Sequence, residues 1–380
     1  MLKKWKGISA LGLVLCGTCA SLAAGELTLR LMGPRVWGQR IGIDLSYPWI
    51  AYHPILGWVN RPGVWSPHLL INALGFRGPA ISAPKPSGAL RIICLGDSRT
   101  FGIWMDKGGF RYDNDYPALL EQSLRGRAGT ERVDVINAGV IGYTSSQGLA
   151  QLQTQVLPLH PDIVTVAFGF NDHNLEWNAS LAAREPRNPF AREAFYLASH
   201  AYWFQLGKAA YDAVTGRGVW GEVPPLTERR VDPEAYRYNL RRLAEVGSGQ
   251  GVHILFVSQA LRPIEMGDSA QAFPGAPPDR AGLYTLLGVK DLEELHRLDR
   301  GYQQLLYKVA EEEGVPVADA ASAFAERGEI LFGQYDLVHC NPAGARVIAE
   351  TIRNKLLELG WLLPPQGLSG VSASKSLTER

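Results

Sequence analysis

The sequence predicts an α/β fold in which a parallel, doubly wound sheet lies between two layers of helices. Two observations carry that reading. Short apolar runs recur without polar alternation at Leu90–Leu95, Val133–Asn137, Ile163–Phe168, Val252–Val257 and Val315–Ala318. Such runs suit strands buried on both faces, the setting of a parallel sheet. Segments of helical period separate or follow them, at Tyr116–Leu124, Ser146–Leu157, Pro233–Gly247, Leu292–Glu313 and Pro342–Leu359. Strands alternating with helices imply right-handed crossovers and a doubly wound sheet. The composition agrees, since 46% hydrophobic and 20% charged residues describe a globular chain.

Taken in order along the chain, residues 1–32 read as an address. Lys3, Lys4 and Lys6 precede an uncharged run from Gly7 to Gly25. A basic start before an apolar run directs a chain to a membrane, with the lysines kept on the cytoplasmic side. Two outcomes are open. Ser21-Leu22-Ala23 offers small residues at the outer positions of a signal-peptidase site, which would leave a secreted or periplasmic protein. Alternatively the run stays as a single membrane anchor with the rest of the chain outside the cytoplasm. Residues 33–88 are rich in Pro, Gly and Trp without a sustained period, and read as an irregular lead-in packed on the main domain. The main domain spans 89–363. It is interrupted at about 174–230 by an aromatic-rich stretch without a clear strand, expected as a helical insertion over the carboxyl edge of the sheet. The small, polar residues 364–380 read as a disordered tail.

Whole-chain arithmetic removes several classes. A formal charge of +1 gives no basic surplus for nucleic acid. Four cysteines in 380 residues are too few for a disulfide scaffold. No second run of about 18 apolar residues appears, which excludes a polytopic membrane protein. No His-Glu-x-x-His spacing appears, and no metal or other cofactor is expected.

Four segments that follow apolar runs carry the chemistry. Gly96-Asp97-Ser98-Arg99-Thr100-Phe101-Gly102 places a serine at a strand-to-helix turn, at the carboxyl edge where ligands of such sheets bind. A serine hydroxyl needs a base, and the base needs an orienting carboxylate. Of eight histidines, only His339 has an aspartate three residues before it, in Asp336-Leu337-Val338-His339. Asn341 as cap and Pro342 at the first helical position would start the last helix just beyond. Acyl transfer also needs donors aimed at the developing oxyanion. Asn137-Ala138-Gly139-Val140-Ile141-Gly142-Tyr143-Thr144-Ser145 offers glycine amides, and Gly169-Phe170-Asn171-Asp172 offers an asparagine side chain.

In this order, the four segments resemble the sequence blocks of the SGNH (GDSL-type) hydrolase superfamily, over about residues 89–360. The lead-in segments Leu56-Gly57-Trp58-Val59-Asn60-Arg61-Pro62-Gly63 and Asn72-Ala73-Leu74-Gly75-Phe76-Arg77-Gly78 are similar to those of membrane-anchored bacterial members. The resemblance implies a three-layer α/β/α flavodoxin-like domain of about five strands, with metal-independent esterase or lipase activity. It implies Ser98 as nucleophile and first oxyanion amide, Gly142 as second amide donor, Asn171 as side-chain donor, and Asp336 with His339 as the charge partner and base. The expected partner is an ester substrate, an acylated glycan or a lipid, with no nucleic acid. A rival reading is an O-acyltransferase or deacetylase working on a surface polysaccharide through the same acyl-enzyme. A non-catalytic binding or scaffold protein is the rival from another class. His173 reads as a turn residue beside Asn171, Cys340 as a bystander beside the base, Cys94 as a small core residue, and the arginines at 229–242 as a solvated helix face.

Overall fold

The computed structural model describes residues 12–28, 31, 50–53, 56–64, 68–106, 109–125, 132–175, 201, 203, 207, 229–263, 287–327, 331–333 and 336–362. Helix α1 covers 12–28. The hairpins β1 (Ile50–His53) with β2 (Gly57–Asn60) and β4 (Trp104–Asp106) with β5 (Gly109–Arg111) are antiparallel. The central strands are β3 (Leu90–Gly96), β6 (Val133–Gly139), β7 (Ile163–Ala167), β8 (His253–Val257) and β9 (Val317–Ala318). They form one five-stranded sheet in the order β6-β3-β7-β8-β9, with every neighbouring pair parallel. Renumbered within the sheet this is 2-1-3-4-5, the flavodoxin-like order of a doubly wound fold.

Helices cover both faces, because alternate residues of a strand point to opposite sides. Ile93 and Leu95 of β3 join Val164, Val166, Ile254 and Phe256 on one face. That face packs on Leu152 and Val156, on Tyr236, Leu240 and Leu243 of α6 (Pro233–Ser248), and on Tyr302, Leu306 and Val309 of α7 (Leu292–Glu313). Ile92 and Cys94 point the other way, to α3 (Tyr116–Leu124), α8 (Ala320–Ala325) and α9 (Pro342–Glu358). Two cores flank one sheet, as the unalternating apolar runs require.

Several elements differ from the sequence reading, each for a local reason. The helix expected over 146–157 divides into α4 (Ser145–Gln151), a π turn at Leu152–Val156 and a 3₁₀ turn at Leu157–Leu159. Pro158 lacks the N–H that a continued α-helix would use. The lead-in is not wholly irregular, since β1 and β2 pair in it. The short helices α2 (Ser98–Phe101) and α5 (Phe170–His173) and the hairpin β4–β5 are too brief to show a period.

The membrane-spanning segment expected near the N-terminus is not found among the described residues, where no helix is long and apolar enough to cross a membrane. Most of the expected insertion and all of the expected tail lie outside the described residues. The insertion's two ends are described and adjoin one another. Leu175 and Arg229 form an antiparallel bridge, and Arg230 N–H donates to Asn174 O at 2.9 Å.

Candidate active site

The site stands at the carboxyl edge of the sheet. Parallel register sets Gly96 beside Gly139 on one side and beside Ala167 on the other. Ser98, the Val140–Tyr143 loop and Asn171 therefore leave the sheet at one level. Val140 N–H donates to Gly96 O at 3.1 Å, and Asn137 Nδ2 donates to Thr100 O at 2.8 Å. Gly139 permits this closeness, because a Cβ there would lie 2.1 Å from Phe101 N.

Ser98 opens α2, whose N-cap is Asp97. The Asp97 side chain accepts from Arg99 N–H at 2.9 Å, satisfying a donor that a helix start leaves orphaned. Arg99 is buried and stands 3.6 Å from Asp97. It donates to Gln259 Oε1 and to Ala260 O, so the turn bearing Ser98 is tied to the loop after β8. The Arg99 guanidinium also lies 5.4 Å from the ring centre of Phe170, at the start of α5.

Ser98 Oγ lies 2.8 Å from His339 Nε2, although 241 residues separate them in sequence. His339 Nδ1 lies 2.9 Å and 3.0 Å from the two carboxylate oxygens of Asp336. Asp336 Oδ1 also accepts the N–H groups of Val338 and His339 at 3.0 Å and 2.9 Å. All three side chains are buried. The loop that carries Asp336 and His339 is closed on itself: Phe332 bridges Cys340, Gly333 N–H donates to His339 O at 3.2 Å, and Asn341 N–H donates to Leu331 O at 2.9 Å. Arg262 N–H donates to Leu337 O at 3.0 Å, anchoring the loop to the segment that follows β8.

Asn171 Nδ2 donates to Tyr143 O at 3.1 Å, which leaves its second amide hydrogen for another acceptor and places the side chain against the loop of Gly142. Gly142 has φ +79°. The sequence-derived residues thus fall into two groups at one edge: Ser98 with His339 and Asp336, and Asn171 with the Gly142 loop.

The neighbouring candidates have other uses. His173 is fully buried, with Nε2 3.3 Å from Asp299 Oδ1 and its ring set edge-on against Phe170 and Tyr302. Burial pushes the Cys340 and Cys94 thiols up to about 12, leaving neither available as a thiolate near neutrality. Of the arginines at 229–242, Arg237 and Arg241 pair with Glu312 on α7. Arg229 and Arg230 do otherwise, donating to His173 O and, at 2.8 Å, to Gly142 O. Among the described residues no cluster of three or more His, Cys, Asp or Glu side chains could hold a metal ion.

Sequence reasoning missed the shell around these groups. Asp172 is fully buried, and its Oδ1 accepts both the N–H and the hydroxyl of Ser145, whose Oγ accepts from Asn239. Trp58 Nε1 donates to Ile141 O at 2.9 Å, and Asn60 Nδ2 to Gly139 O at 2.9 Å. The signal at Asp172 was its place beside Asn171, which ordinary turn chemistry also explains.

The chain is similar to several known proteins. It is 30% identical over 81 residues to the uncharacterized lipoprotein YqeF of Bacillus subtilis (strain 168), a match covering 21% of this chain and 31% of that one. The match thus spans about a third of that curated relative. Solved structures similar to it include LAE5, an alpha/beta hydrolase enzyme from the metagenome of Lake Arreo, Spain, at 22% identity and a TM-score of 0.42, covering 72% of this chain and 97% of that one. The lipase/acylhydrolase from Enterococcus faecalis is 20% identical with a TM-score of 0.41, covering 73% of this chain and 99% of that one. Axe2, an acetylxylan esterase from Geobacillus stearothermophilus, is 18% identical with a TM-score of 0.40, covering 72% and 95%. The model of the GDSL-like lipase/acylhydrolase family matches residues 94–347, so the chain belongs to that family and is a hydrolase of ester bonds.

Proposed function

We propose that the chain is a serine ester hydrolase working outside the cytoplasm through Ser98, His339 and Asp336. The observation that carries this reading is the continuous relay from Ser98 Oγ to His339 Nε2 at 2.8 Å and from His339 Nδ1 to Asp336 at 2.9 Å. With Nδ1–H donated to the carboxylate, Nε2 is the lone-pair nitrogen and can accept the serine proton. As that proton moves, Oγ bonds to the ester carbonyl carbon and the carbonyl oxygen takes up the electron pair. Ser98 N–H, Gly142 N–H and the Asn171 amide are the donors for this oxyanion. Collapse of the adduct breaks the bond to the alcohol oxygen, which leaves with the proton held on His339. Water then repeats the sequence on the acyl-enzyme, releasing the acid and restoring Ser98.

The substrate class is an acyl ester of a glycan or a lipid. Export is supported by Lys3, Lys4 and Lys6 before the apolar run, and by the exposed Leu13, Val14, Leu15 and Leu22 of α1. The segment acts as an export address, whether cleaved or retained.

Labelling with a fluorophosphonate probe tests the nucleophile. Wild-type protein should be labelled and Ser98→Ala should not; equal labelling of both would remove Ser98 from this role. A chain-length series of p-nitrophenyl esters, run beside acetylated glycans, then sorts the substrate. Preference for acetyl favours carbohydrate deacetylation, and a rise with length favours a lipid. Transfer of the acyl group to an added sugar in place of water would identify a transferase.

A further inference from the structure

The loop that carries Gly142 is a β-turn. Tyr143 N–H donates to Val140 O at 3.2 Å, so Ile141 and Gly142 are its two central residues. The φ of +79° at Gly142 is that of the second central residue in a type II turn, a position that glycine fills without steric penalty. Type I and type II turns differ chiefly in the orientation of the peptide between the central residues, here Ile141–Gly142. Turning that peptide over exchanges the directions of Ile141 C=O and Gly142 N–H. Glycine tolerates both arrangements, so its own backbone does not select between them.

A side chain from outside the loop does. The indole Nε1–H of Trp58 donates to Ile141 O at 2.9 Å, across 83 residues of sequence. The peptide is planar and trans, so Gly142 N–H points away from the indole. Trp58 is itself held in place. It is 6% exposed, its backbone oxygen accepts the Tyr143 hydroxyl, and its ring lies edge-on to Tyr143 with centroids 5.7 Å apart. The Arg230 guanidinium sits 5.9 Å from the Trp58 ring centre and donates to Gly142 O at 2.8 Å, fixing the next peptide as well.

We propose that Trp58 is a positioning residue for ester hydrolysis, its indole N–H holding the Ile141–Gly142 peptide so that Gly142 N–H faces the oxyanion. This rests on the reading of Gly142 as an oxyanion donor. In the opposite orientation a carbonyl oxygen would face the developing negative charge where a donor is needed. Trp58 precedes the family-matched residues 94–347, so the lead-in supplies a part of the site that the matched segment lacks.

Hydrolysis of p-nitrophenyl acetate by the full chain tests this. Trp58→Phe retains an apolar ring and deletes the donor. The expected result is a fall in kcat of about tenfold to a hundredfold with KM within about twofold, because the oxyanion exists only in the transition state and not in bound substrate. Replacement of Trp58 by 3-benzothienylalanine, in which sulfur takes the place of N–H in the same bicyclic outline, should reproduce the loss without a change of packing. Wild-type kcat in the benzothienyl protein overturns the proposal, including the case where Trp58→Phe is impaired or fails to fold, since packing alone would then explain the phenylalanine variant. Asn171→Ala serves as the separate control on the oxyanion reading, with an expected loss of about 10²–10³ in kcat. Unchanged turnover there would sink that reading itself. A loss at Asn171 without a loss in the benzothienyl protein would sink only the role of Trp58.

Discussion

At Asp172 two physical demands oppose each other. The carboxylate lies fully inside the protein, where burial pushes its pKa up to about 7, while the two Ser145 donors and the Arg230 charge pull the other way. Its second oxygen, Oδ2, is buried without a hydrogen-bond partner among the described residues. A carboxyl whose folded pKa lies above its unfolded value binds more protons when folded, so stability falls as pH rises between the two values. For Asp172 that window runs from about pH 4 to about pH 7, with a limiting slope of about 1.4 kcal/mol per pH unit. Asp172→Asn removes the ionisation and keeps an oxygen for Ser145. Calorimetric melting at pH 5 and pH 8 should therefore show the variant gaining on the wild type at the higher pH. A constant difference between the two proteins would mean that Asp172 does not titrate there. At this scale the sequence pointed to Ser98, Asp336, His339 and Asn171 through the joint order of four short segments, since each segment alone has an ordinary turn or cap explanation. It hid Trp58, Asn60 and Arg230, whose partners are backbone carbonyls of a distant loop. A carbonyl has no residue type, so such a contact leaves no pattern along the chain.

Whole elements were legible where their ends carry their own chemistry. Helices α3 and α7 begin and end where their periodicity placed them, because Asp115 and Asp291 cap the starts and Gly314 closes α7 in the left-handed region. Helix α9 is the same case and bears on the site. Asn341 Oδ1 accepts the N–H groups of Ala343 and Gly344 at 2.9 Å and 3.0 Å, with Pro342 at the first position. The residue two before that cap is His339, so the helix start and the base share one stretch of backbone. Asn341→Ala should lower unfolding stability by about 1 kcal/mol in urea titration, with an unchanged dependence on denaturant. A midpoint equal to wild type would show that the cap contributes nothing net. Less legible was the end of α4, where a π turn and a 3₁₀ turn replace the continued helix around Pro158. The paired strands β1 and β2 were hidden too, four residues each being too few for alternation to declare itself.

For the molecule as a whole, the parallel order explains how a nucleophile near residue 100 meets a base near residue 340. Every crossover returns the chain to the same edge, so successive strand ends accumulate there whatever their distance in sequence. That much followed from apolar runs and turn residues. The destination of the polypeptide belongs to this scale also. Expressed in a bacterial host, the full chain should be recovered outside the cytoplasm, whereas a chain begun after residue 31 should stay inside with its specific activity intact. Cytoplasmic recovery of the full chain would refute the export reading.

The bridge between Leu175 and Arg229, with Arg230 N–H on Asn174 O, has a consequence for how this enzyme can diverge. Departure and return points of the intervening stretch meet at a single rung, so its length can drift freely without pulling strand β7 away from helix α6. Lineages can thus retailor what hangs from that doorway while the hydrolytic engine behind it stays as it is.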